Sequence, residues 1–310
     1  MLFEKTNRLN TELLGTSHDP KQPAVGEIIK SQPGDYMSAH IVIMGCPEDA
    51  GIRRNRGITG ARNAPKEIRR ALYKLALNEA IQSKSIFDLG DIKTGETLEE
   101  THATLKQIIR RVLGDGKTVI VLGGGNDISY PDCAALAELK KEMLVFNIDK
   151  HFDVRDLSPR NSGTAYRQLI DEGFIDPERF YELGSEGFAN SPAYRDYLER
   201  KGAHVYSLDE MRSYGLRSLF KDILKSYSYE AVFWGFDMDV VRDADAPGVS
   251  ARYPTGLAAR EIIQIAEIAG KATNFGVVEF TEVNPEVDLN NRTGKLTAIL
   301  IHTFLSHKNL

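Results

Sequence analysis

Cysteine is scarce in this chain. The two present, Cys46 and Cys133 in 310 residues, cannot build a disulfide framework and suit a reducing compartment. No apolar run approaches the roughly 20 residues of a membrane span. Residues 1–6 lack the apolar core of a signal peptide. Basic runs are missing too, and the formal charge is -5 at pH 7, which argues against nucleic acid as a partner. The glycine run Gly123-Gly124-Gly125 has neither the Lys-Ser/Thr of a Walker loop nor the spacing of a dinucleotide fingerprint. No serine or cysteine stands in a recognisable nucleophile context, so a metal-activated water is the better nucleophile. These absences predict a soluble cytoplasmic protein that acts on a small molecule.

What is present is ordinary globular composition, 42% hydrophobic and 27% charged, in a chain long enough for a full core without staples. Residues 1–40 are polar and broken by Pro20, Pro23, Pro33 and Gly34. They read as an N-terminal extension laid over a main body of 41–310. Strands are predicted at 41–45, 85–89, 118–122, 144–148, 180–184, 204–207, 231–236 and 275–280. Helical stretches lie between most of them. One starts near Pro65. Another opens at Thr97, with Glu100 three residues on as a capping box, and stops near Gly114. Others begin near Ala258 and Thr293. Strands alternating with helices predict one α/β domain with an eight-stranded parallel sheet covered by helices on both faces.

In such a sheet, sites form at the carboxyl edge of the strands. Asp149, His151 and Asp153 follow one apolar run. Asp237 and Asp239 follow another, Ala231-Val232-Phe233-Trp234-Gly235-Phe236. Strand alternation puts each set on one face. Carboxylates and an imidazole there are donors for divalent ions. Either set alone is also what a capped loop looks like; the pair is enough to share two metals if the strands are neighbours. The glycine run has a steric reading, letting backbone come close to a site. Asn126 fits a weak oxygen ligand, a hydrogen-bond donor or a turn residue. Glu282 fits either a receiver of a cationic substrate group or a solvated loop acid. Arg155, with Asn161-Ser162-Gly163-Thr164 nearby, fits a carboxylate site or an ordinary surface position. His18, His40, His102, His204, His302 and His307 lack ligand-spaced neighbours and read as structural or surface residues.

These motifs together resemble the ureohydrolase family of arginases, agmatinases, proclavaminate amidino hydrolases and formimidoylglutamases. The likeness runs from about Ile41 to the C-terminus. It rests on Gly45-x-Pro47, Gly57-x-x-Gly60-x-x-x-Ala64-Pro65-x-x-Ile68-Arg69, Asp88-Leu89-Gly90-Asp91, the glycine run, the two aspartate motifs and Glu282-Val283-Asn284-Pro285. The third glycine, Gly125, and the segment from Ser162 to Gln168 look like the formimidoylglutamase branch. Arginases and agmatinases typically place His-Gly where Tyr166-Arg167 stands. Two positions depart from the family: Asn126 replaces a ligating histidine, and Lys150 replaces a small residue between two ligands and should point to the opposite strand face.

The resemblance implies an arginase-like fold and two manganese ions. One would be held by Asn126, Asp149, Asp153 and Asp237, and weakly because of Asn126. The other would be held by Asp149, His151, Asp237 and Asp239. It implies hydrolysis of N-formimino-L-glutamate to glutamate and formamide, in histidine degradation, by a hydroxide bridging the metals. Asp153, His151 and Glu282 would be catalytic, with Asp153 carrying the proton to the leaving amine. Glu282 would hold the amidine; Arg155, Asn161, Ser162, Thr164, Tyr166 and Arg167 would bind the rest of the substrate. The alternatives it leaves are another ureohydrolase acting on arginine, agmatine or a guanidino acid, and a catalytically weak member with a binding role. The family's trimers and hexamers make a homo-oligomer the expected assembly.

Overall fold

The computed structural model describes residues 2–309 except 16, 18 and 274, so His18 lies outside the described residues. Nine strands form a single sheet: β1 (Thr6–Asn7), β2 (Ile41–Gly45), β3 (Ile86–Ile92), β4 (Thr118–Leu122), β5 (Met143–Ile148), β6 (Phe180–Ser185), β7 (His204–Ser207), β8 (Ala231–Asp237) and β9 (Gly276–Thr281). Their order across the sheet is β1-β3-β2-β4-β9-β8-β5-β6-β7. The predicted strands are β2 to β9, and every pairing among them is parallel. The ninth strand was not predicted. It comes from the N-terminal extension, where Thr6 and Asn7 pair antiparallel with Ile92 and Asp91. Two residues carry no periodicity, so nothing local marked them.

Alternate side chains of each strand enter two separate cores. Ile120, Leu122, Phe146, Ile148, Trp234, Phe236 and Phe280 pack on one face, with Phe146 and Trp234 stacked at 4.3 Å. Val119, Val121, Val145, Phe233 and Val277 pack on the other. The helix Leu98–Gly114 starts with the predicted reciprocal cap, in which Thr97 accepts from the Glu100 N–H and Glu100 accepts from the Thr97 N–H. The helices Ala64–Leu72, Ala259–Ala272 and Arg292–His307 lie where the sequence predicts them.

The sheet order answers the question of neighbours. Strands β5 and β8 are paired, with Ile148 opposite Phe236. On the far side of β8, Asp237 lies opposite Thr281 of β9. The first residues beyond β5 and β9, Asp149 and Glu282, therefore emerge beside Asp237 at one carboxyl edge.

Candidate metal centre

Asp149, His151 and Asp153 converge, but strand alternation is not the cause. Strand β5 ends at Ile148. Asp149 caps the chain instead: its carboxylate accepts the His151 N–H at 2.8 Å. Asp153 then adopts φ +47, a left-handed conformation that costs a non-glycine residue about 1 kcal/mol or more. The second motif turns by the same device. Asp237 accepts the Asp239 N–H at 2.9 Å and opens the 3-10 turn Met238–Val240. Both are aspartate turns, in which a short carboxylate replaces a strand's next hydrogen-bond partner.

The result is two overlapping donor sets. Asp149, His151 and Asp239 form one, and Asp149, Asp153 and Asp237 the other; within each, ligand atoms lie within 4.8 Å of one another. His151 Nδ1 stands 3.1 Å from Asp239 and 3.6 Å from Asp149. Burial raises the pKa of Asp149, and Asp239 adds to it. Burial also lifts Asp237 well above the usual range, with Asp239 and Asp149 adding to it. Burial and Asp149 push Asp153 up to about 8. Burial works against charge on His151, yet Asp239 and Asp149 hold its pKa above the usual imidazole value. So many carboxylates in one dry place require compensating positive charge. Asp239 Oδ1 is buried with no hydrogen-bond partner. Hard oxygens dominate both sets, the donor chemistry that manganese or magnesium takes. The residues present fit a pair of divalent ions.

Asn126 sits beside them, and its amide faces the opposite way to a ligand. Its Nδ2 donates to Asp153 at 2.7 Å and lies 3.3 Å from Asp149. Its Oδ1 accepts from the hydroxyls of Ser129 and Thr281, each at 2.9 Å. The glycine run before it has the predicted steric role. A Cβ on Gly124 would stand 1.7 Å from the Glu48 carbonyl oxygen.

Glu282 is buried at φ +62. Its Oε1 accepts the Asn126 N–H at 3.0 Å. Burial holds its pKa well above the usual carboxylate range, against the pull of that N–H. Glu282, Asp153, Asp237, Asp239 and His151 line a cavity of about 260 Å3 with Arg155, Ser162, Asn55 and Arg56 on its walls. A second cavity of about 280 Å3 shares His151, Asp153 and Arg155 and continues to Asn190, Ser191 and Tyr194. A larger cleft of about 830 Å3 lies between Phe3, Tyr36 and Arg111 and holds none of these groups.

Four of the residues expected at the substrate do not line either cavity. Asn161 spends its side chain inside its own loop, accepting from the Gly163 N–H and donating to the Pro159 carbonyl. Thr164 accepts from the Asn161 N–H and donates to the Asn161 carbonyl. Arg167 pairs with Asp171 and Asp156 and stacks on the Tyr197 ring at 3.9 Å. Tyr166 lies beneath the site, stacked on Phe180; a Cβ on Gly235 would meet its hydroxyl at 2.5 Å. Lys150 also stays out of the cavities. It is wholly buried, 3.3 Å from the Thr255 carbonyl and over the Tyr253 ring.

Sequence reasoning missed Asn55 and Arg56, which carry no motif of their own. It also missed a row two residues below the donors, where Glu182, Asn147 and Glu279, with Gly235 between the last two, lie side by side across β6, β5, β8 and β9. Polar residues inside otherwise apolar strands were the available signal.

Residues 39–306 match the model of the arginase family. Formimidoylglutamase of Bacillus subtilis strain 168 is 33% identical over 264 residues, 81% of this chain and 82% of that protein. The crystal structure of Trypanosoma cruzi formiminoglutamase with two manganese ions superposes with a TM-score of 0.86 at 30% identity, over 93% of this chain and 100% of that one. Arginase from Bacillus subtilis gives a TM-score of 0.76 at 26% identity, over 87% of this chain and 99% of that one.

Proposed function

This chain belongs to the arginase family, and from that premise we propose that it hydrolyses N-formimino-L-glutamate to glutamate and formamide with two manganese ions. The observation that carries this reading is the division of charge in one cavity. Its floor is acidic, with Asp153, Asp237, Asp239 and Glu282; its wall carries Arg155 and Ser162. A substrate with a cationic amidine at one end and carboxylates at the other matches that division. Agmatine has no carboxylate to offer the wall. The relatives named above as formimidoylglutamase and formiminoglutamase support the same choice.

Asp149, Asp153 and Asp237 would hold one ion, with Asn126 beside it. Asp149, His151, Asp237 and Asp239 would hold the other. Paired divalent ions, when bound, lower the pKa of water to near neutrality and orient it. The protein's own groups do the rest. Glu282 has one oxygen engaged by the Asn126 N–H; its Oε2 has no partner among the described residues and is left for an amidine N–H. Asp153, ionised when the ions are bound, takes the proton given up by the attacking water and passes it to the leaving amine nitrogen. Arg155 and Ser162 bind a carboxylate and fix the substrate's far end.

In this reading the catalytic unit is 41–310, and 1–40 is an extension along the β3 edge. A cytoplasmic enzyme of histidine degradation suits the two free, buried thiols, and a homo-oligomer is expected, to be read by light scattering. The deciding experiment is an amidine hydrolase assay on formimino-glutamate, arginine and agmatine, with and without added manganese. Preference for arginine or agmatine would replace this reading with another ureohydrolase activity. Tight manganese binding with no turnover of any of the three would replace it with a binding role.

A further inference from the structure

A dicarboxylate substrate needs two cationic contacts, and Arg155 supplies one. The second cavity offers no other guanidinium; its polar lining beyond Arg155 is Asn190, Ser191 and Tyr194 with the acid and imidazole of the floor. The first cavity does offer one, Arg56.

Arg56 follows the short helix Ala50–Arg54. Two arginines near it spend their charge on the protein, Arg54 on Glu99 at 2.6 Å and Arg62 on Asp49 at 3.2 Å; Arg53 is exposed and lines neither cavity. The Arg56 guanidinium has no hydrogen bond or ion pair among the described residues, and the residue is exposed. Its backbone is left-handed, φ +64. That conformation disfavours any residue with a Cβ and is natural to glycine. A strained arginine with an unspent charge on a cavity wall points to a use for the side chain.

Asn55 ties Arg155 to the segment that carries Arg56. Its Oδ1 accepts from Arg155 Nη1 at 3.0 Å, and its Nδ2 donates to Ser162 Oγ at 3.0 Å. One side chain thus holds Arg155 and Ser162 from across the cavity, while the next residue presents Arg56. A Cβ on Gly163 would lie 2.8 Å from Arg155 Cδ, so the Arg155 stem is packed against backbone and its head is held by Asn55.

We propose that Asn55 and Arg56 form the element that recognises the second carboxylate: Arg56 binds it directly, and Asn55 is a positioning residue that fixes Arg155 on the first. This rests on the dicarboxylate reading above and adds the residues that discriminate a glutamate-derived amidine from one bearing a single carboxylate.

The test crosses variants of the manganese-loaded enzyme with substrates. Formimino-glutamate is compared with N-formimino-4-aminobutyrate, which lacks the α-carboxylate, and with N-formimino-glutamine, whose side-chain carboxylate is an amide. A charge-assisted contact corresponds to about tenfold to hundredfold in affinity. Arg56→Gln should raise KM for formimino-glutamate by that factor and leave kcat within about threefold. It should also lose its preference for one of the two carboxylates, and Arg155→Gln its preference for the other. Arg56→Gly, which relieves the backbone strain and so guards against misfolding, should show the same KM change. Asn55→Ala should raise KM in the wild type and add nothing in Arg155→Gln. An unchanged KM in Arg56→Gln, or losses that multiply across both carboxylates, overturns the proposal. A wild type inactive on formimino-glutamate overturns the functional reading and this inference with it; an active wild type with a normal Arg56→Gln overturns this inference alone.

Discussion

Asn126→His replaces a neutral amide that touches both Asp149 and Asp153, and the structure gives its magnitude. The Asn126 oxygen is occupied by the Ser129 and Thr281 hydroxyls, and the nitrogen faces Asp149 and Asp153. A cation takes the oxygen, so coordination requires the amide to turn over. That forfeits two neutral hydrogen bonds of about 1 kcal/mol each. About 2 kcal/mol is roughly a thirtyfold loss of affinity, and the amide oxygen is in addition a weaker donor than imidazole. The ion held by Asp149, Asp153 and Asp237 should therefore bind at least about thirtyfold more weakly in the wild type than in Asn126→His. Elemental analysis after dialysis measures the difference: about one retained ion in the wild type and two in the variant. Activity of the wild type should rise as manganese is titrated in, and that dependence should shrink in the variant. Asn126 is buried, so thermal unfolding checks that the larger ring is accommodated; Asn126→Asp keeps the volume and should tighten the same ion. A wild type that keeps two ions through dialysis, or a folded Asn126→His that keeps no more than the wild type, refutes the reasoning.

Other substitutions test the rest of the cavity. Glu282→Gln keeps shape and removes charge, so kcat/KM should fall by about a hundredfold, the scale of a charge-assisted contact in a dry site, with manganese content unchanged; near-normal kinetics removes Glu282 from the substrate. Arg155→Ala should raise KM about tenfold or more and change kcat little, because a carboxylate contact acts on ground and transition states alike; a collapse of kcat at constant KM assigns Arg155 another role. Metal-free protein should lose stability with rising pH. Burial and Asp149 push Asp153 up to about 8, so its contribution is full below the unfolded value near 4 and is lost as pH rises through the folded one. Calorimetry should show the chelated protein's Tm falling between about pH 5 and pH 8.5 and the manganese-loaded protein's Tm holding; a flat metal-free profile contradicts the charge reading.

Periodicity carried the fold because parallel strands buried on both faces read as largely apolar runs, as β2, β4, β5 and β8 do. The same rule hid β1, two residues long and held only by the β3 edge. The aspartates were legible as a pair of motifs because each follows such a run. Their convergence was credited to strand alternation, yet it comes from aspartate turns and a left-handed Asp153, which spacing does not encode. Asn161, Thr164 and Arg167 miss the cavities for a related reason. A motif says which residue types occur near a site, but Asn161 and Thr164 compete for their own loop's backbone. Arg167 sits four residues before Asp171 on one helix and takes the nearer partner. Arg56 was invisible because nothing in the sequence says that its charge goes unpaired.

Charge balance explains why the polar row beneath the donors is there at all. Asp149, Asp153, Asp237 and Asp239 together carry four negative charges when ionised, which two divalent ions would neutralise. Any further ionised acid below them would be uncompensated. The acids of the layer beneath are accordingly pushed toward the neutral form. Burial lifts Glu279 to about 7. Burial and Glu279 lift Asp132 well above its usual value, and burial and Asp149 do the same to Glu182. A neutral carboxyl can donate as well as accept, so Glu279 can hold Ser129, which donates onward to Asn126. Glu182 likewise faces Asn147 at 2.9 Å. The row thus braces the metal layer with hydrogen bonds without adding charge to it. Glu282 alone stands outside this balance, at the cavity rather than below it. Burial lifts the Glu282 pKa, and repulsion from Asp239 and Asp153 adds to it; neutralising the four aspartates would remove the repulsion, and only a cation in the cavity would offset the burial. In the function proposed above that cation is the substrate's amidine, a group a neutral amide would not replace.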